Sequence, residues 1–383
     1  VGISTAIMAA LPQDIVSALS ASGVSGLSTA QVRALTVDQL TALSPTQVAA
    51  FTSQQVAAFK ASDLPTFSTA QIAAISAAGI AGMSSDQVAA LNLEQLHVLT
   101  TSQVNALTSS AVSGLSAEEL ETLSAAQIAA ISSSAIGGLT TEFIGGLSAT
   151  ELARLGTAGI SGLTGKQVAA LSRDQLDSLS TAQIAALSAD GLSGLTTEGM
   201  STFSASEIAA ISASSIRGLS TQIISRLTNA EIQVLTPAQI GAMGYNQIVA
   251  LSTSQVDALT TAQLGGLNAI QAAALGTEDI SLFTTEDISA LGTSAVSGLT
   301  AGVIAILTTA QSEALTPGQV NALTSGQVAA LSKDNLAKFS TADIAAFNSS
   351  GVTGLSTDTL VSLSSDQIGT LMGTHMGSLT PAQ

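Results

Sequence analysis

In LSTAQIAALSADGLSGL, residues 179–195, a large apolar residue returns at every eighth position, and Ser follows it at 180 and 188. Steps of eight from Ile3 pass through Leu11, Leu19, Leu27, Leu35, Leu43 and Phe51 and end at Leu379. All forty-eight positions are Leu, Ile, Met or Phe. A second apolar lattice lies five residues further on, from Met8, Val16, Val24 and Val32 to Met376. Its only small or polar occupants are Ala272 and Ser312. The consensus is L-[ST]-x-x-[QDE]-[IVL]-x-[AG], and no insertion or deletion interrupts it.

Three conformations compete to explain the period. In a strand, residues five apart point to opposite faces, so Leu179 and Ile184 would face away from each other. In one continuous helix, eight residues turn about 800°, and the apolar stripe would drift about 80° per repeat without forming a seam. A succession of very short helices accounts for each position. Ser180 and Gln183 form a capping box, in which the hydroxyl accepts from the third helical amide and the Gln side chain reaches back to the cap amide. Leu179 before the cap and Ile184 at the fourth helical position form the hydrophobic staple. Leu187 ends the helix and opens the next unit.

Proline supports this reading. Pro45, Pro237, Pro317 and Pro381 each follow the capping residue, at the first helical position, where a missing N–H costs nothing. Pro12 occupies a cap itself. Pro65 falls late in an octad whose cap is Lys60, so an irregular unit is expected there. Helices this short are unstable alone, and their stability must come from neighbours, as in other repeat arrays. The fold expected is all-α: a solenoid of very short capped helices, one per octad, with a thin aliphatic core and no β-sheet, continuous over residues 1–383. Ala or Gly at the end of each octad (Ala74, Gly82, Ala130, Gly138) lets backbones approach closely. Small-residue units introduced by Leu19, Ile75, Ile131 and Leu187 recur at every seventh octad. A coil of about three and a half octads per turn would place them on one side.

Composition narrows the function. Nine Lys and Arg against twenty-six Asp and Glu give a net charge of −17, which disfavours nucleic acid and anionic membrane surfaces. The absence of cysteine excludes disulfides and thiolate chemistry. Mean hydropathy is high, +0.49, yet a Ser or Thr recurs about every eighth residue, so no transmembrane span is expected. The N-terminus VGISTAIMAALPQD lacks the basic region of a signal peptide. Both ends fall inside repeats, and the chain is expected to be a segment of a longer one.

Little in the sequence resembles a reaction centre. His97 and His375 occupy different lattice positions, away from other candidate ligands. GTEDIS and TTEDIS place Glu278, Asp279, Glu286 and Asp287 at matching positions of adjacent octads, a calcium candidate. Acids in a first helical turn equally suit the helix dipole. Asn348-Ser349-Ser350 is the one N-glycosylation sequon. Phe51, Phe59 and Phe67 lie on the lattice and read as core. No cofactor and no enzyme activity is expected.

The octads ALTTAQL, STAQIAALS and LTPGQVNALTSGQVAALS resemble the Ala/Ser/Thr-rich eight-residue repeats of very large bacterial secreted or surface proteins, adhesin-like ones among them. The resemblance spans the chain and implies an extracellular or cell-surface structural setting; it transfers no catalytic residue. The function expected is a fibre, stalk or surface-layer protein that associates with itself through a surface poor in charge. The alternative is an adhesin-type solenoid that binds a surface or partner protein. The mostly Ser, Thr, Ala and Gly at the variable positions favour the first.

Overall fold

The computed structural model describes residues 3–383. Nearly all its helices are four to six residues long, and no β-strand occurs among the described residues. The chain divides into two compact units, Val1–Phe203 and Ser204–Gln383, and the octad lattice keeps its period through both. Each unit is an all-α repeat solenoid.

A side-chain cap starts most of the helices, and in many of them a capping box completes it. Ser180 is extended, with φ −70° and ψ 158°, and its hydroxyl accepts from the Gln183 amide at 3.3 Å. The Ser180 amide in turn donates to Gln183 Oε1 at 2.9 Å. Helix Thr181–Ala186 follows, and Leu187 stops it by returning to ψ 129°. Two extended residues, Leu187 and Ser188, then redirect the chain into the next helix.

Exceptions test this account. Met372 stands where a capping hydroxyl is expected, and there the chain does not break: helix Ser365–His375 runs for eleven residues. At Lys60 no side chain caps, and Ala61–Thr66 forms a 3₁₀ helix with Pro65 inside it. This is the irregular unit expected from the sequence. Pro45, Pro237 and Pro317 each open a helix.

Every first-lattice residue from Leu35 to Leu371 is buried, and the second lattice is buried over most of its length. Residues eight apart converge on the interior: the rings of Phe51 and Phe59 meet edge-on at 5.0 Å, and those of Phe59 and Phe67 at 5.5 Å. These phenylalanines are core. Within a unit each helix lies chiefly against the one three octads before it. Side-chain hydrogen bonds cross from one turn to the next between residues 28 to 31 apart. That spacing is close to the three and a half octads per turn suggested by the small-residue units.

The glycines at the ends of octads have a steric explanation. No described residue, glycine included, adopts a positive φ, so conformational freedom is not what selects them. A Cβ on Gly82 or Gly138 would overlap the backbone oxygen of Ser53 or Ser109, each in the preceding turn of the coil. These glycines are needed for room between turns.

Candidate functional site

The feature that recurs through both units is a glutamine at the third helical position. A capping box requires only the side-chain oxygen, which Glu supplies equally well. Here the amide nitrogen is used too. Gln103 Nε2 donates to the carbonyls of Ile72 at 2.9 Å and Ile75 at 2.7 Å, while its Oε1 accepts from the Thr100 amide at 2.7 Å. Gln255 repeats the arrangement in the second unit, with Ile224 at 2.9 Å, Leu227 at 2.6 Å and the Ser252 amide at 2.7 Å.

The chemistry follows from helix ends. Every helix leaves its first amides and last carbonyls without partners inside the helix, and so short a helix is nearly all ends. One glutamine satisfies an orphan amide at its own N-terminus and orphan carbonyls at the end of a helix one turn back. Gln103 is 2% exposed and Gln239 1%, so these bonds form away from water, where an unpaired group is costly. Glutamine is the clasp between turns.

Sequence reasoning placed these glutamines in the capping box and missed the second bond. A signal was present: twenty-two of the twenty-six glutamines occupy this position, against eight of the twenty-six acids. Only the amide carries a donor. Where an acid takes the place behind a Ser or Thr cap, the cap survives and the clasp does not. Glu151 accepts from the Ser148 amide at 2.8 Å and the Ser148 hydroxyl at 2.7 Å. Those two bonds, hydroxyl first, hold its carboxyl below the usual range; slight burial opposes them and Arg154 assists.

Two of the four calcium candidates, Asp279 and Asp287, are capping groups. Asp279 accepts from the Gly276 amide at 2.8 Å, and Asp287 from the Thr284 amide at 2.9 Å and hydroxyl at 2.7 Å. Glu286 accepts from Thr285, and its own backbone amide followed by that hydroxyl lower its pKa. One octad advances about 100° around a coil of this period, so carboxylates at matching positions of adjacent octads diverge. Among the described residues no three potential metal-ligating side chains come together.

His97 is exposed and borders a shallow depression with Leu93, Glu94 and Val98. His375 sits at the clasp position, 9% exposed, with Nε2 3.2 Å from the Ala345 carbonyl, so the Nε2–H tautomer would take the glutamine's part. Asn348 of the sequon is fully engaged. Its Oδ1 accepts from the Gly351 amide at 2.7 Å, and Nδ2 donates to the Leu323 carbonyl at 2.9 Å and to that of Asn321. Tyr245 and Ile270 are 47% and 67% exposed and share a groove with Arg217. No helix among the described residues is long and apolar enough to cross a membrane.

Comparison with known families finds three stretches similar to the ALTTAQ repeat, residues 56–93, 237–269 and 336–373. Those six letters occur as Ala258–Gln263: the last residue of one octad, then the apolar residue, cap, two helical positions and clasp of the next. The match supports a repeat protein. No curated protein matches the chain.

Proposed function

We propose that this chain is a structural repeat protein of the extracellular space or bacterial cell surface, building a fibre, stalk or layer and carrying out no catalysis. The supporting observation is the recurrence of one joint. The same glutamine geometry recurs from Gln39 to Gln367, between surfaces of mostly Ser, Thr, Ala and Gly. An array in which one bond pattern joins turn to turn again and again along its length suits length and mechanical continuity. Lateral self-association belongs to the proposal, because the surface carries few charges to oppose it. Electron microscopy of purified protein across a concentration series is the test. Bundles, filaments or sheets are expected; monodisperse single particles at every concentration would overturn assembly. Protease shaving of intact source cells tests location, and a chain protected until lysis would exclude the surface.

A binding solenoid is the second reading, favoured by the exposed Tyr245 and Ile270 beside Arg217. A Y245S/I270S variant that still assembles but no longer attaches to protein-coated surfaces would support it over a purely structural role.

A further inference from the structure

Two of the ways in which turns of the solenoid meet depend on residues that are coupled along the sequence. Nine octads carry Gly or Ala at the third helical position instead of glutamine, and eight of these end in Gly. Of the twenty-one complete octads with glutamine there, one ends in Gly. We infer that these two positions form a joint code: glutamine with a larger last residue makes a hydrogen-bonded joint, a small residue with glycine makes a close-packed one, and the halves are not interchangeable singly.

The geometry gives the reason. In seven of the eight small-residue octads that end in Gly, a Cβ on that glycine would overlap a backbone oxygen of the preceding turn, as with Gly82 over Ser53 and Gly162 over Ser133. At the third position of the same octad, a Cβ on Gly79 would lie 3.0 Å from Ile75 Cγ2 and 3.3 Å from the Phe51 carbonyl oxygen. Phe51 stands 28 residues back, where a clasping glutamine finds an acceptor, as Gln103 does with Ile75. The turn has therefore closed over the space that a glutamine side chain occupies elsewhere. Gly266, which ends a glutamine octad, sits less tightly: a Cβ there would be 2.7 Å from the Pro237 oxygen. A joint propped open by an amide tolerates alanine in the last place, whereas a closed one does not.

The joints also differ in what holds them. Each glutamine joint from Gln39 to Gln367 loses two or three side-chain bonds when it opens. At Gly79, Gly159 and Gly191 no side chain donates across the gap. Backbone packing closes these joints with at most one side-chain bond, that of Asp190 accepting from the Gly165 amide beside Gly191, so amides around them should exchange with solvent faster.

A double-mutant cycle in the full chain tests the code, with thermal midpoint and hydrogen-exchange mass spectrometry as readouts. G82A and G79Q should each lower the midpoint, and G79Q/G82A should recover most of the loss while slowing exchange around residues 75–83 severalfold. The converse pair should behave alike, with Q103G strongly destabilising and Q103G/A106G less so, now with faster exchange. Losses that simply add in both cycles would overturn the coupling, as would doubles no more soluble or stable than their worst singles. Equal exchange at the two joint types would overturn the difference in what holds them.

Discussion

Two stretches show what the choice of joint does. Residues 236–274 hold five consecutive glutamine octads, with Gln239, Gln247, Gln255, Gln263 and Gln271 all buried and all donating to the preceding turn. Residues 107–163 carry three small-residue octads, ending in Gly114, Gly138 and Gly162, with Gln127 as their one glutamine clasp. Both stretches bury the same two apolar lattices. The difference lies in how backbone polar groups are settled: in the first an amide side chain completes helix ends, and in the second close backbone contact takes its place. An identical core thus supports two chemistries at its rim, and the apolar period alone does not reveal which is used.

The largest expected effect comes from breaking the first stretch at its centre. Gln255→Leu removes two acceptor bonds and one cap bond and strands the groups they satisfied; a loss of about 3 kcal/mol or more is expected in chemical denaturation. A change below about 1 kcal/mol would mean that water replaces the clasp. In the second stretch Gly138→Ala should cost about 1–3 kcal/mol through overpacking against Ser109. Gly326→Ala, with nothing within 4 Å of the added methyl, should be neutral or stabilising by up to about 1 kcal/mol. Equal effects at the two glycines would refute the steric argument.

The shared core offers a third probe. Ser312 sits on the second lattice, 1% exposed, and its hydroxyl has no hydrogen-bond partner among the described residues. Ser312→Val should stabilise by about 1–2 kcal/mol, measured by thermal unfolding. The smallest effect concerns Glu151, which caps but does not clasp. Its folded-state pKa is lowered, so its contribution to stability is complete above the ordinary carboxyl range and disappears as pH falls through the depressed value. Glu151→Gln should remove that part of the acid dependence of unfolding, and an unchanged acid limb would show that Ser148 does not hold the carboxylate.

The helices, their caps and the buried lattices were legible in the sequence because each is a local matter. Ser180 and Gln183 are three residues apart, and Leu179 and Ile184 five. The fate of Lys60 and Pro65 was legible for the same reason. The bond from Gln103 to Ile72 was not, since nothing local marks an acceptor 31 residues away; only the preference for amide over acid hinted at it. His375 was opaque for a related reason, as its partner Ala345 becomes visible only once the coil is closed. The acids of residues 276–289 looked like a cluster because they are near in sequence, but the turn of the coil separates equivalent positions.

The reach of the glutamine sets a minimum seed. A segment shorter than about four octads has no earlier layer to lie on and must pass through an unsupported start. Once the first layer exists, every newly added octad meets carbonyls already fixed in place, so growth from that nucleus proceeds by templated addition and the slow event is paid for a single time, however many repeats follow.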